Sequence, residues 1–259
     1  MKDKIMSFKV SAITTYPVKG FAGQDKAAVK VDAHSLLPGD RRYALGSGTD
    51  QSQIAPLNEW LKKAHFLQMM NFEALAALSL SYQTDSTHLC LSENDDPLYE
   101  GYLNSQDDSQ NLCQFIHDYL KLGDAHPRPR LFSLDEGGFT DTKRPFIAFG
   151  NQASIADFAA RMGHEADARR YRLNVMMTGM PAFAELDLIG HSARLGTAEF
   201  NFIEAVGRCA AIEVNPKTAA REKNLVSALA SAYGAADMGV FAEVKKAGEF
   251  EIGDQLVML

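Results

Sequence analysis

Residues 8–18 (FKVSAITTYPV) are rich in β-branched and aromatic types and predict a strand that stops at Pro17. Further strands are predicted at 28–31 and, after the turn-rich LLPGD, at RRYAL (41–45). Residues 58–78 change to helical spacing, with Trp60 near the start and Leu67, Met70, Phe72 and Leu75 along it, so a helix is expected there. A short strand is predicted at 89–91. The acidic, turn-rich run 93–109 reads as a surface excursion, and Cys113, Phe115, Ile116, Tyr119 and Leu120 mark a short amphipathic helix. HPRPR (126–130) is a stiff, extended connector.

Beyond residue 139 the pattern is mostly of strands. They are predicted at 144–149, 173–177, 199–203, 209–214, 239–245 and 255–259, with helices at 154–162 and 225–233. Ser154 followed by Asp157 makes a capping-box-like start for the first of these helices. Many short strands with few helices predict an α+β fold: a β-barrel-like core, an N-terminal β-rich subdomain and peripheral helices. The division expected is 1–135 and 136–259.

Composition narrows the class. The 259 residues are 46% hydrophobic and 23% charged, as in ordinary globular chains. The N-terminus MKDKIMSFKV carries no cleavage-site pattern, and no apolar run approaches the length of a membrane helix. Three scattered cysteines (Cys90, Cys113, Cys209) form no disulfide framework. The expectation is a soluble cytoplasmic protein that binds neither membrane nor nucleic acid. The net charge of -7 has a local origin: ten acidic against three basic residues lie between 91 and 140, and the remainder balances. An anion pocket elsewhere is therefore open.

Standard catalytic signatures are absent. The seven histidines form no HExxH or HxH pattern, and there is no CxxC, P-loop, GxGxxG or GxSxG. What remains is a set of cations at strand–loop junctions: Lys19, the pair Arg41 and Arg42, Arg172 and Arg208. Together with Asn174 and the helix start at Ser154 they form a candidate site for a phosphorylated ligand, since Arg offers a bidentate fork and a helix N-terminus offers N–H donors. Solvated surface charges and ion-pair partners would look the same in sequence.

These segments together resemble a family. YPVKG (16–20), GDRRYAL (39–45), ASIADF (153–158), RYRLNVMM (170–177), PAFAE (181–185), GRCAAIEVNPKT (207–218) and the terminal GEFEIGDQLVML (248–259) are similar, in order, to MOSC proteins. The resemblance makes 1–135 the MOSC N-terminal β-barrel region and 136–259 the MOSC domain. It also implies binding of the molybdenum cofactor (molybdopterin), with no pyridoxal phosphate site. Lys19, Arg41 and Arg172 match cofactor-contacting cations, with Asn174, Ser154 and Arg208 as further contacts.

Several positions depart from the family pattern. Gly20 stands where a serine is usual, and Leu173 and Asn215 replace a proline and an aspartate. The loop that carries a molybdenum-ligating cysteine in reducing members aligns with 233–238, where Met238 is the nearest equivalent and no thiol occurs. A thioether is a poor ligand for a high-valent oxo-metal. Cys209 is then the remaining catalytic candidate, and strand alternation with Arg208 predicts that it is buried. The implied activity is an oxidoreductase or an oxygen- or sulfur-transfer component served by an electron-transfer partner. The alternatives are a non-catalytic cofactor or sulfur carrier, and a degenerate barrel that binds another phosphorylated small molecule.

Overall fold

The computed structural model describes residues 8–259; most of the N-terminal stretch discussed above, residues 1–7, lies outside the described residues. Strands β1 (Lys9–Thr15), β2 (Gln24–Lys26), β3 (Ala28–Val31) and β4 (Tyr43–Leu45) come first, followed by the short helix α1 (Asp50–Ile54). Strands β5 (Ser79–Gln83), β6 (His88–Glu93) and β7 (Asp96–Tyr102) lead into helix α2 (Gln106–Tyr119) and strand β8 (Leu131–Ser133). The second half runs β9 (Ile147–Asn151), α3 (Gln152–Met162), β10 (Val175–Thr178), β11 (Ser192–Leu195) and β12 (Ala198–Gly207). It ends with α4 (Leu225–Tyr233), β13 (Asp237–Lys246), β14 (Gly248–Glu251) and β15 (Leu256–Met258).

Eight strands form one sheet in the order β15-β11-β12-β13-β9-β10-β1-β2. The sheet curls until its ends meet. Val10 N–H donates to Asp254 O at 2.9 Å, Gly253 N–H to Val10 O at 2.9 Å and Leu256 N–H to Phe8 O at 2.8 Å. Seven antiparallel or parallel neighbours thus close round a seam between β1 and the approach to β15. The β9–β10 pair is parallel, and α3 supplies the crossover that a parallel pair requires. The fold is α+β with a barrel-like core, and β1 and β3 bring Val10, Ile13, Val29 and Val31 into the same core as β9–β13.

Alternation places that core. Along β12 buried and less buried residues alternate over most of its length, and β13 does the same toward its end. Phe149 sits at the centre, its ring 5.2 Å from those of both Phe200 and Phe202 in edge-to-face contact. A second module packs β5–β6–β7 against α2 round Leu89, Leu91, Leu112 and Ile116.

Four sequence expectations change. Residues 58–78 contain no α-helix but two 3-10 turns, Lys63–His65 and Glu73–Ala77. The apolar residues there fill the core one by one, with Phe66 bridged to Gly46 and Leu67 N–H bonded to Leu45 O. The run 93–109 is regular structure: a hairpin turn, β7 and the first turn of α2. Asn94 and Asp95 take the positive φ of a tight hairpin turn, and Asp107 and Asp108 sit where a helix N-terminus favours negative charge, capped by Ser105. Strand β7 buries little, so its apolar alternation is too faint to read. Residues 209–214 form a 3-10 turn, Ala210–Glu213, because β12 ends at Gly207. Helix α3 is capped by Asn151, whose side chain accepts from Ala153 N–H, and not by a Ser154 box.

The central aromatic cluster makes one stability prediction. Phe149→Ala should cost about 3–5 kcal/mol, read from equilibrium unfolding in urea. A loss below about 1 kcal/mol would mean that the barrel core is not packed round this ring.

Candidate functional site

A cleft of about 250 Å³ opens where the β1–β4 connection faces the start of β10 and the end of β12. Its lining carries six cationic side chains, Lys19, Arg41, Arg144, Arg170, Arg172 and Arg208, and one carboxylate, Asp141. Lys19, Arg41, Arg172, Asn174 and Arg208 of the sequence-predicted set converge here, and Cys209 joins them. Arg42 does not line the cleft; its guanidinium lies over the Tyr43 ring.

Tyr16 organises one end. The guanidinium carbons of Arg41 and Arg172 lie 4.9 and 4.4 Å from the centre of its ring, so both charges are held against one π-face system. Its hydroxyl donates to Leu173 O at 3.2 Å, and burial pushes its pKa up to about 12, so the ring stays neutral. Arg41 is paired with the buried Asp40, which also accepts from Tyr16 N–H at 2.8 Å. Burial alone would lower the Arg41 pKa, but Asp40 outweighs it and the net shift is upward. Arg172 donates to Phe21 O and has no carboxylate partner among the described residues; burial holds its pKa down at about 10. Both arginines occupy left-handed backbone positions, φ 53° each, which places their side chains at turns between strands.

Lys19 is buried at 6% exposure, with its backbone N–H on Tyr43 O at 2.8 Å. Its ammonium donates to Asp141 at 2.8 Å, and Lys63 holds the other oxygen of that carboxylate at 3.1 Å. Burial lowers the Lys19 pKa even so, while Asp141 is held at about 2, the two lysines outweighing the burial that alone would raise it. The neighbouring Gly20 takes φ +85°, and a Cβ there would lie 2.6 Å from Leu67 O. This local geometry excludes the family's serine.

Arg208 forms the other end. Its Nε donates to Met238 O at 2.8 Å and its Nη1 to Tyr171 O at 2.7 Å, again with no carboxylate within ion-pair distance among the described residues. Burial lowers its pKa to about 10. Asn174 lines the wall between, but its amide is committed to the scaffold: Oδ1 accepts from Ala148 N–H at 3.2 Å and Nδ2 donates to Thr14 O at 3.1 Å.

Three sequence expectations are corrected here. Ser154 is fully buried away from the lining, with its hydroxyl on Glu185 at 2.7 Å, so neither it nor the α3 N-terminus faces the cleft. Cys209 is half-buried and lines the cleft beside Arg208, because the chain leaves regular strand geometry at Gly207 and alternation no longer applies. Met238 is not in a loop. It lies in β13 with its side chain fully buried among Leu173, Met176, Leu225 and Leu229, so a cysteine there would be sealed from the cleft. Sequence reasoning missed Asp141 and Arg144, single residues in FTDTKRP that carry no spacing signal, and gave no role to Arg170 or the organising Tyr16, which stand in the segments RYRLNVMM and YPVKG. Among the described residues no group of three or more His, Cys, Asp or Glu is arranged to hold a metal ion.

Two predictions follow from these contacts. Asp141 is depressed from 3.8 to about 2, so its contribution is present above about pH 4 and is lost as pH falls toward about 2. Unfolding free energies of wild type and Asp141→Asn should therefore converge over that window, and parallel curves would contradict the pairing. Gly20→Ser should destabilise by roughly 1–3 kcal/mol through backbone strain, measured by urea unfolding. A neutral effect would show that this turn is not left-handed.

Residues 139–257 match the family model described as MOSC domain. Among solved structures, the YuaD protein from Bacillus subtilis is 14% identical over 97% of this chain and 94% of that one, with a TM-score of 0.46. YiiM from Geobacillus stearothermophilus is 18% identical over 44% of this chain and 53% of that one, with a TM-score of 0.37. YiiM from Escherichia coli is 14% identical over the same shares, with a TM-score of 0.34. The chain thus spans about half the length of either YiiM. No curated protein matches. No helix among the described residues is long and apolar enough to cross a membrane. The family match thus makes residues 139–257 similar to the MOSC domain, a domain associated with the molybdenum cofactor.

Proposed function

We propose that the cleft binds the molybdenum cofactor, a pterin phosphate, and that the chain is a cofactor-dependent oxidoreductase or transfer component. One observation carries this reading. Arg172 and Arg208 line the cleft half-buried, and among the described residues neither has a carboxylate within ion-pair distance. A charge taken partly out of water without a counter-ion is costly, and an anionic ligand at this place offsets the cost.

The donor set fits the group. Lys19, Arg41, Arg172 and Arg208 would hold the phosphate and ring oxygens through charge-assisted hydrogen bonds. Asp141 and Thr142 line the same cleft and would accept from pterin N–H groups, which a purely cationic pocket would repel. Asn174 would act from the wall, its amide already fixed by two backbone partners. The cofactor, when bound, supplies two-electron redox chemistry at molybdenum. Cys209 is the cysteine that lines the cleft and is the candidate protein sulfur, with Arg208 beside it in sequence and in the lining. The sealed side chain of Met238 favours a second reading, a cofactor or sulfur carrier without turnover.

The test is the composition of protein purified from a host that makes the cofactor. Oxidised-pterin fluorescence and molybdenum should approach one per chain in wild type. Arg172→Met should lower both about tenfold or more without a matching loss of folded protein. Folded wild-type protein without pterin would overturn the proposal in favour of another phosphorylated ligand.

A further inference from the structure

Behind the Arg208 end of the cleft lies a carboxylate that no ion pair explains. Glu185 is 1% exposed, and no cation among the described residues lies within ion-pair distance of it. It accepts three hydrogen bonds instead. Asn151 Nδ2 donates to Oε2 at 3.1 Å and Ser154 Oγ to the same oxygen at 2.7 Å. The N–H of Gly239 donates to Oε1 at 3.3 Å.

That N–H belongs to the same peptide group as the Met238 carbonyl, on which Arg208 places Nε at 2.8 Å and also Nη2. A single peptide plane therefore joins a buried carboxylate to a half-buried guanidinium. Hydrogen bonds at both ends of an amide polarise it and strengthen one another in a low-dielectric interior. The plane has little room to turn. Gly239 takes φ +86°, and a Cβ there would lie 2.5 Å from Phe149 O and 2.9 Å from Leu173 Cδ2. Only a residue without a side chain lets the peptide sit between Glu185 and Arg208.

We propose that Glu185 is a positioning residue for Arg208, compensating its charge from one peptide away while leaving its outer edge open to an anion. The contrast with the other cations gives the reason. Arg41 touches Asp40 and Lys19 touches Asp141, so each has part of its donor set occupied by a carboxylate. Arg208 spends its bonds on two carbonyls, and each terminal nitrogen keeps a further N–H that these bonds do not use. The inference also accounts for Ser154 and Asn151, which hold the far oxygen of Glu185 and so fix its direction. It rests on the reading of the cleft as an anion site.

The test is a double-mutant cycle with inorganic phosphate as the probe, titrated at constant ionic strength against wild type, Glu185→Gln, Arg208→Met and the double variant. Arg208→Met should weaken phosphate binding about tenfold. Glu185→Gln should weaken it about threefold or more with Arg208 present and leave it unchanged in the Arg208→Met background. The sign is diagnostic, because removing a nearby negative charge by itself would tighten an anion. Unchanged or tighter binding by Glu185→Gln, or an equal loss in both backgrounds, overturns the positioning role while the anion site stands. An Arg208→Met variant that binds phosphate as well as wild type overturns the anion site at this end, and the proposal with it. Ser154→Ala, which removes one of the two donors to Oε2 of Glu185 and keeps its charge, should move binding the same way by less. It serves the same cycle if Glu185→Gln does not fold.

Discussion

Taking a guanidinium group out of water costs several kcal/mol unless something replaces that water, and four of them stand round one cleft here, Arg170 buried and Arg41, Arg172 and Arg208 half-buried. Each is compensated differently. Arg170 meets Glu222 at 3.0 Å, Arg41 meets Asp40, Arg172 lies against the Tyr16 ring, and Arg208 rests on main-chain carbonyls. Only the first two are neutralised. The cleft therefore keeps an uncompensated positive field in a place water reaches poorly, where it acts on a ligand far more strongly than the same charges would at an exposed surface.

The barrel makes this arrangement affordable. Arg41, Arg172 and Arg208 all stand at junctions where a strand begins or ends, and their backbones are fixed by main-chain hydrogen bonds. Arg41 N–H bonds Tyr16 O, Arg172 N–H bonds Arg169 O and Arg208 N–H bonds Ala236 O. The side chains are thus ordered by the folding of the core and not by the ligand. The rigidity lowers the conformational cost that binding would otherwise carry.

What could be read from the chain depended on whether the signal was local. Helix 225–233 and strand 28–31 were legible because period and punctuation coincide there. Lys19, Arg41, Arg172 and Arg208 were legible as a group because cations at several strand ends share one structural context. Cys209 was misread because the rule applied to it, alternation, holds only inside a strand, and Gly207 ends β12 two residues earlier. Ser154 was misread because a helix start says nothing about which way the helix points; its hydroxyl went to Glu185, thirty-one positions away. Tyr16 and Glu185 stood inside the segments YPVKG and PAFAE, but their roles could not be read there, since these exist only after β1, β10 and β13 have been brought together.

The distribution of charge completes the picture. The acidic excess of the chain lies between residues 91 and 140, largely in the β5–β6–β7 and α2 module, and none of those carboxylates lines the cleft. Exposed charges are screened beyond roughly 8 Å at physiological ionic strength, so a negative module and a positive cleft coexist in one chain without cancelling. Within the cleft the separation is finer. Asp141 stands at the Lys19 end in direct contact, whereas Glu185 stands behind the Arg208 end and acts through a peptide. One end is therefore mixed in sign and suits a ligand portion with both donors and acceptors. The other end is cationic on its open face and suits oxygen atoms alone, so a bound molecule with two chemically different ends has one orientation that satisfies both.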